Sequence, residues 1–226
     1  LGIVFVRLAG KLKEGELPEE EARHALRVLR LAEGDELWLM DGCGCFYRAA
    51  ITLATGHRCL YNIEETLRQQ PEWRGHIHLA MAPTKNMDRT EWMAEKATEI
   101  GMDELTLLDC RFSERRTVKA ERIDKILVSA MKQSHKAWKP VLHDMEAFKR
   151  FVERADLPRH RFIAHCYDMA DVGGGEKPYL LDALMAVAAQ TEEPLSAQAA
   201  QAPSMLVLVG PEGDFSVDEV RMAHQA

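Results

Sequence analysis

The sequence predicts an α/β protein in two parts: a small β-rich unit, then a mainly parallel sheet with helices on both faces. Three observations carry this. The first 66 residues read as strands around one short helix. From His76 onward, short apolar strands alternate with helical periods, the rhythm of a parallel sheet covered on both sides. Between them "RQQPEWRG", with Pro71 and Gly75, has the composition of a linker. The expected domains are therefore residues 1–66, a linker at 67–75 and a second domain at 76–226. A chain of 226 residues is long enough to give each part its own core.

The elements follow in order. "LPEEEARHALRVLRLAEGD" opens with Pro18 and acidic residues in the first turn, aligns Ala22, Ala25, Leu26 and Leu29, and is expected to end at Gly34. "ELWLM", the turn Asp41-Gly42-Cys43-Gly44 and "CFYRAAITLA" form a hairpin, and "CLYNIEETL" another strand. In the second part "HIHLAMA" is a strand. Asp88 and Glu91 make a D-x-x-E helix start, Met93, Ala97 and Ile100 share a face, and Gly101 closes the helix. "LTLLDC" is the next strand. "AERIDKILVSAMKQSHKAW" is a helix with Ile123, Ile126, Leu127, Ala130 and Met131 inward, stopped by Pro140. A short helix from Met145 to Arg154 precedes the strand "RFIAHC", a helix covers Leu180 to Ala189, and a loop at 190–204 leads to "MLVLVG".

Composition narrows the class. No apolar run approaches the ~20 residues that span a bilayer, and no signal peptide is evident. Five scattered cysteines, an odd number, point to a reducing cytoplasm rather than a disulfide framework. Cys43-Gly-Cys45 and His76-Ile-His78 each offer two ligands without a second pair at useful spacing, so no metal is expected. The net charge of −7 conceals an asymmetry: Arg111 to Pro140 holds nine Lys/Arg against three Asp/Glu. A local phosphate footprint has this form, and so does a solvated basic helix face.

Three stretches carry chemistry. In "LVLVGPEGDFSVDEV" a strand meets Gly210-Pro211-Glu212-Gly213, and Ser216 with Glu219 makes a capping box that starts a helix. The glycines permit positive φ or close backbone approach. The turn has no Lys, carries Glu212 and Asp214, and is not G-x-G-x-x-G, so it suits a ligand with hydroxyls or a cationic centre rather than phosphates. An ordinary strand-to-helix turn with a solvated Glu remains the alternative. "FSERRTVKAER" follows a strand and offers Ser113, Arg115, Arg116 and Lys119 to phosphate oxygens. "MKQSHKAWKP" gathers Lys132 and Gln133 with other polar groups at a helix C-terminus, where cations are favoured anyway. Arg27 and Arg30 on the first helix form a further basic strip. No Ser-His-Asp or Cys-His constellation can be assembled.

Taken in order, "HALRVLRLAEGD", "DGCGCFYRAAI", "APTKNMDRTEWMAEKATEIGMDELTLL", "SERR", "MKQSHKAWKP" and "LVLVGPEGDFSVDE" resemble the ribosomal RNA small-subunit methyltransferase E (RsmE) family over roughly residues 17–222. The resemblance implies an N-terminal PUA-like barrel and a C-terminal SPOUT domain with a trefoil knot. It further implies a homodimer that transfers methyl from S-adenosylmethionine to ring nitrogen 3 of a uridine in 16S ribosomal RNA, on the small ribosomal subunit. By similarity Leu208, Val209, Gly210, Pro211, Glu212, Gly213 and His165 line the cofactor pocket. Arg27, Arg30, Ser113, Arg115, Arg116, Lys119, Lys132 and Gln133 contact RNA, and no general base is assigned. The family usually reads GPEGG where this chain has Asp214. It also continues past the last helix with L-G-x-R-x-L-R-x-E-T-A, so the knot segment is expected to be missing from these residues and the site around Gly210 to Gly213 to be open. The competing readings are a catalytically silent RNA-binding protein of the same fold, and a nucleotide-using α/β enzyme, which the absent glycine fingerprint disfavours.

Overall fold

A computed structural model describes residues 3–6, 13–71, 75–173, 175–189 and 204–226. The chain divides into two compact units, one of residues 1–72 with 125–139, the other of 73–124 with 140–226. The sequence-predicted loop at 190–204 lies, apart from its last residue, outside the described residues.

The first unit is a mixed five-stranded half-barrel in the order β1-β3-β4-β5-β2, with β1 Ile3–Phe5, β2 Glu14–Glu16, β3 Glu36–Met40, β4 Cys45–Thr55 and β5 Arg58–Arg68. Register shifts in the β4–β5 ladder at Arg48/Ala49 and Ile51/Leu53 are bulges, the device by which long antiparallel ribbons bend. Alternation sends Leu37, Leu39, Ala49, Ile51, Cys59 and Tyr61 inward, where they meet Val4, Val6, Leu17, Ala22 and Ala25. The hairpin turn is built on Asp41, whose carboxylate accepts the amides of Cys43 (2.7 Å) and Cys45 (3.1 Å) and the Tyr47 hydroxyl (2.7 Å). Residues 137–139 attach to the same turn: Gly44 N donates to Ala137 O and Lys139 N to Gly42 O, both at 2.9 Å. Gly44 has φ +96°, and a Cβ there would run into the Trp138 ring.

The first helix differs from expectation. Only Glu19–Arg23 (α1) is α-helical, His24–Val28 continues as a π turn, and Arg30 already has φ 58°. Gly34 is not its terminator. Gly34 N donates to Ile51 O and Ile51 N to Asp35 O, while the Asp35 carboxylate caps Ala32 N at 2.7 Å. Pinning residues 34–35 to β4 obliges the chain to leave the helix a turn early.

The second unit holds an all-parallel sheet in the order β8-β7-β6-β10-β9, from β6 His76–Met81, β7 Glu104–Asp109, β8 Val141–Ala147, β9 His160–Ala164 and β10 Ser204–Val209. Helices α2 Met87–Ile100, α4 Phe148–Val152, α5 Met169–Val172, α6 Leu180–Ala189 and α7 Val217–Gln225 belong to it, and α3 Ala120–Ser134 begins in it. Interior β7 buries Leu105, Thr106, Leu107 and Leu108, so both of its faces are covered, while Glu104 and Asp109 at its ends are half-buried. Phe148, Phe151, Leu206, Leu208, Phe215 and Val220 form the core between sheet and helices.

Three sequence expectations need correction here. Residues 145–147 are strand, not helix; β8 is a half-exposed edge whose apolar residues do not alternate cleanly, and the helical period belongs to Phe148, Phe151 and Val152 alone. Helix α2 is capped by Asn86, whose side chain accepts Asp88 N, so Asp88 is not the cap, and Glu91 instead pairs with Arg122. Its buried face is Thr90, Ala94 and Thr98, while Ile100 is 69% exposed. Threonine can take this face because its hydroxyls are satisfied: Thr90 Oγ1 accepts Thr84 N at 2.9 Å and Thr98 donates to Ala94 O at 2.7 Å. Helix α3 buries Ile123, Leu127, Ala130 and Met131 as expected but stops at Ser134, His135 turning left-handed at φ 55° before Pro140 is reached.

No helix of the described residues is long and apolar enough to cross a membrane. All five cysteines are free, and burial pushes the Cys59 and Cys110 thiols upward, away from reactivity.

Candidate functional site

Strand β10 lies between β6 and β9, with Val209 opposite Met81 and Ala164. From β6 the chain moves outward through β7 and β8, then returns to fill the other side with β9 and β10. The order therefore reverses between β6 and β10. Crevices outside the carboxyl ends of parallel strands at such a reversal are where open α/β sheets hold ligands. Gly210–Gly213 leaves the sheet at that place.

The acidic residues of this stretch hold the site together. Glu212 Oε1 accepts the amide of Lys85, in the loop after β6, at 2.8 Å. Glu219 Oε1 accepts the amide of Arg111, in the loop after β7, at 2.8 Å. Asp214 Oδ2 accepts the amide of Cys166, in the loop after β9, at 2.7 Å. Three carboxylates of one segment thus each take a backbone N–H from a different loop, and four loops meet at one end of the sheet. Glu219 is 5% exposed and also completes the capping box, its Oε2 accepting Ser216 N and Oγ at 2.8 Å while Glu219 N donates to Ser216 Oγ at 3.3 Å. Tyr167 adds a hydroxyl bond to Phe215 O at 2.8 Å.

The left-handed residue of the turn is Asp214, at φ 66°; neither Gly210 nor Gly213 has positive φ. Close approach does apply at Gly210, where a Cβ would lie 3.0 Å from Phe215 N. An aspartate tolerates this backbone when its side chain bonds locally. Here Asp214 Oδ1 accepts Phe215 N at 2.7 Å while Oδ2 holds Cys166. Asp214→Ala should therefore cost about 2 kcal/mol, keeping the strain and losing both acceptors, and Asp214→Gly about half that because the strain is relieved. Urea denaturation of the two variants decides it: an alanine variant as stable as the glycine one would mean the left-handed backbone costs nothing there, and a glycine variant as stable as the parent would mean the bonds contribute nothing.

The other expected site residues divide. Leu208 and Pro211 are buried, Val209 and Gly210 half-buried, Glu212 and Gly213 exposed. His165 is half-buried in the loop after β9, stacked on Tyr167 with ring centroids 6.2 Å apart. Burial, reinforced by Lys177, holds its pKa below the usual histidine range, and its buried Nδ1 has no hydrogen-bond partner. Ser113 is 5% exposed and its Oγ accepts Cys110 N at 3.0 Å, a turn-forming bond that keeps it from solvent. Arg115 Nη2 donates to Lys85 O at 2.9 Å while its buried Nε has no partner. Arg116 pairs with Asp109 at 2.7 Å and reaches Arg111 O. Lys119 is exposed.

In the first unit Arg27, Arg30 and Gln133 are exposed, whereas Lys132 is drawn in to Glu21 at 2.7 Å. Sequence reasoning missed Lys85, whose backbone N–H and C=O both serve as anchors, and the Cys166 amide. Nothing local signals either, since main-chain partners leave no trace in residue type. A cavity of about 270 Å³ lies apart from the turn, lined by Val152, Leu157, Arg161, Ile163, Leu206 and His224 among others, and shares only Leu208 with the expected pocket.

Residues 71–226 match the model of the RNA methyltransferase domain, and residues 17–64 that of the RNA methyltransferase PUA domain. The chain belongs to the ribosomal RNA small subunit methyltransferase E family of RNA methyltransferases. A Synechocystis protein named ribosomal RNA small subunit methyltransferase E is 29% identical over 92% of this chain, which spans 62% of that relative's length. A crystal structure from Porphyromonas gingivalis, described as a probable rRNA-methyltransferase, superposes with TM-score 0.80 and 37% identity over all of this chain and 86% of its own. The Neisseria gonorrhoeae family member bound to S-adenosyl methionine shares the fold, with TM-score 0.71 and 20% identity over all of this chain and 85% of its own. The family thus accounts for both units, a half-barrel of PUA type and a parallel α/β domain.

Proposed function

We propose that the protein transfers the methyl group of S-adenosylmethionine to RNA, with ring nitrogen 3 of a uridine in 16S ribosomal RNA as the acceptor, and that it works as a cytoplasmic homodimer. The observation that carries the reading is the junction at Gly210–Gly213. Four loops converge there, the turn itself has no lysine, and the Lys85 ammonium is engaged by Glu114 at 2.8 Å. The partnerless His165 Nδ1 and Arg115 Nε are buried polar atoms that a ligand with hydroxyls and ring nitrogens can satisfy, so the residues present fit this cofactor. Leu208 to Gly213 and His165 would hold it, and bound there it supplies an electrophilic methyl group on a sulfonium.

The protein's own contribution is positioning. Gly210 allows the backbone close to its neighbours, and the tied loops fix donors and acceptors before substrate arrives, removing an entropic part of the barrier. Arg115 and Arg116, in the loop after β7, supply positive charge for RNA phosphate or for the anion that develops on the base as its imide proton leaves.

Calorimetric titration is the test. S-adenosylmethionine and its demethylated product should each bind with one site per chain, and ATP should compete weakly. Tighter binding of ATP would overturn the reading. Light scattering at a monomer's mass would remove the homodimer.

A further inference from the structure

At the opposite end of the same sheet, where the parallel strands begin, β6, β7 and β8 bring together residues far apart in sequence. His76 and His78 project from one face of β6, Glu104 and Thr106 from β7, and His143 from β8. One ligand atom from each of His78, Glu104 and His143 lies within 4.8 Å of the others. We propose that these three side chains form a binding site for a divalent transition-metal ion, with Zn²⁺ the best match to two imidazoles and a carboxylate.

The donor set and its support both favour this. Zinc takes nitrogen and carboxylate oxygen at about 2.0–2.2 Å, which places ligand atoms about 3.4 Å apart in a tetrahedron, so side-chain rotation that separates Glu104 from His143 and draws His78 in brings the three donors to that spacing. His78 is 2% exposed and its ring is fixed: Nε2 lies 2.8 Å from Thr106 Oγ1. Donating Nε2–H to that hydroxyl leaves the Nδ1 lone pair facing Glu104 Oε2 at 3.8 Å. Two acceptors so aimed are best joined by a cation between them, and a histidine whose second nitrogen is anchored is the usual arrangement around a bound metal. Glu104 is oriented by His76, 2.5 Å from Oε1, while Oε2 lies 2.5 Å from His143. Phe151 closes the apolar side, edge-on to His78 at 5.6 Å. Arg154, the neighbouring guanidinium, is neutralised by Asp156 at 2.6 Å and Glu146 at 3.6 Å. The sequence hid the site because His76-Ile-His78 is a single pair, and its complement arrives from two other strands. Such an ion would rivet three strands at the end remote from the Gly210 turn.

Titration of the metal-free protein with ZnCl₂ should show one equivalent bound and raise the melting temperature by roughly 5 °C at a hundredfold excess over the dissociation constant. Co²⁺ in its place should give visible absorption bands from the same site. His143→Gln and Glu104→Gln should abolish the equivalent, with circular dichroism checking that each still folds. Thr106→Val, which removes only the anchor of His78, should weaken binding by roughly tenfold. A Cys43→Ser/Cys45→Ser variant should bind as the parent does. The proposal is overturned if no stoichiometric binding occurs, if both glutamine variants fold and keep it, or if the cysteine variant loses it.

Discussion

Replacing Glu219 by alanine should lower stability by about 3 kcal/mol, because a buried carboxylate that accepts several hydrogen bonds vanishes and its donors stay behind. Those donors are the amides of Arg111 and Ser216 and the Ser216 hydroxyl. The helix α7 capping box goes with it. Glu219→Gln keeps one acceptor and should lose about half as much. Denaturant melts measure the loss, and amide exchange adds the specific readout: Arg111 should exchange markedly faster in Glu219→Ala, since its bond is a tie to another element and not part of a helix. A loss under about 1 kcal/mol, with Arg111 still protected, would mean that the loop after β7 is held by something else.

The second large effect concerns RNA and rests on the proposed function. Reversing charge at both Arg115 and Arg116 should weaken ribosomal RNA binding by roughly ten- to a hundredfold at moderate salt and flatten the log–log salt dependence by about two units, one for each phosphate no longer neutralised. Both arginines also serve the fold, Arg115 through Lys85 O and Arg116 through Asp109, so stability must be measured beside affinity. Lys119→Glu is the cleaner companion: the side chain is exposed, and the slope should fall by about one unit with no loss of stability. Cofactor affinity should be unchanged in Lys119→Glu. A salt slope unaltered by the double reversal would move the RNA elsewhere, Arg27 and Arg30 of the first unit being the remaining exposed strip.

The basic segment illustrates how charge counting and geometry diverge. Nine cations between Arg111 and Pro140 suggest a free positive face. Yet Arg116, Arg122 and Lys132 are paired with Asp109, Glu91 and Glu21. Of the residues proposed for RNA, Ser113 is buried in its own turn, and Lys119 and Gln133 stand exposed. Residue type alone cannot separate these cases, since the neutralising carboxylates come from other segments.

Local chemistry wrote much of this molecule plainly. The Asp41 hairpin, the strand–turn–helix at Gly210 and the Ser216–Glu219 capping box all depend on residues a few positions apart, and each formed as its sequence implied. Alternating strands and helices likewise announced a parallel sheet, because burial on both faces demands continuous apolar runs. The meaning of the carboxylates was of another kind. Glu212 and Asp214 read as ligand-facing or solvated charges and Glu219 as a helix cap alone, but the three also hold amides 127, 48 and 108 residues away in the chain. Which amide a carboxylate finds depends on strand order, and strand order is set by packing many residues at once. The same holds for the early exit of the first helix, pinned by Ile51, and for the threonine face of α2. It holds again for the His78–Glu104–His143 cluster. A hydrogen bond needs its donor within about 3 Å, and only the folded sheet brings such distant donors that close.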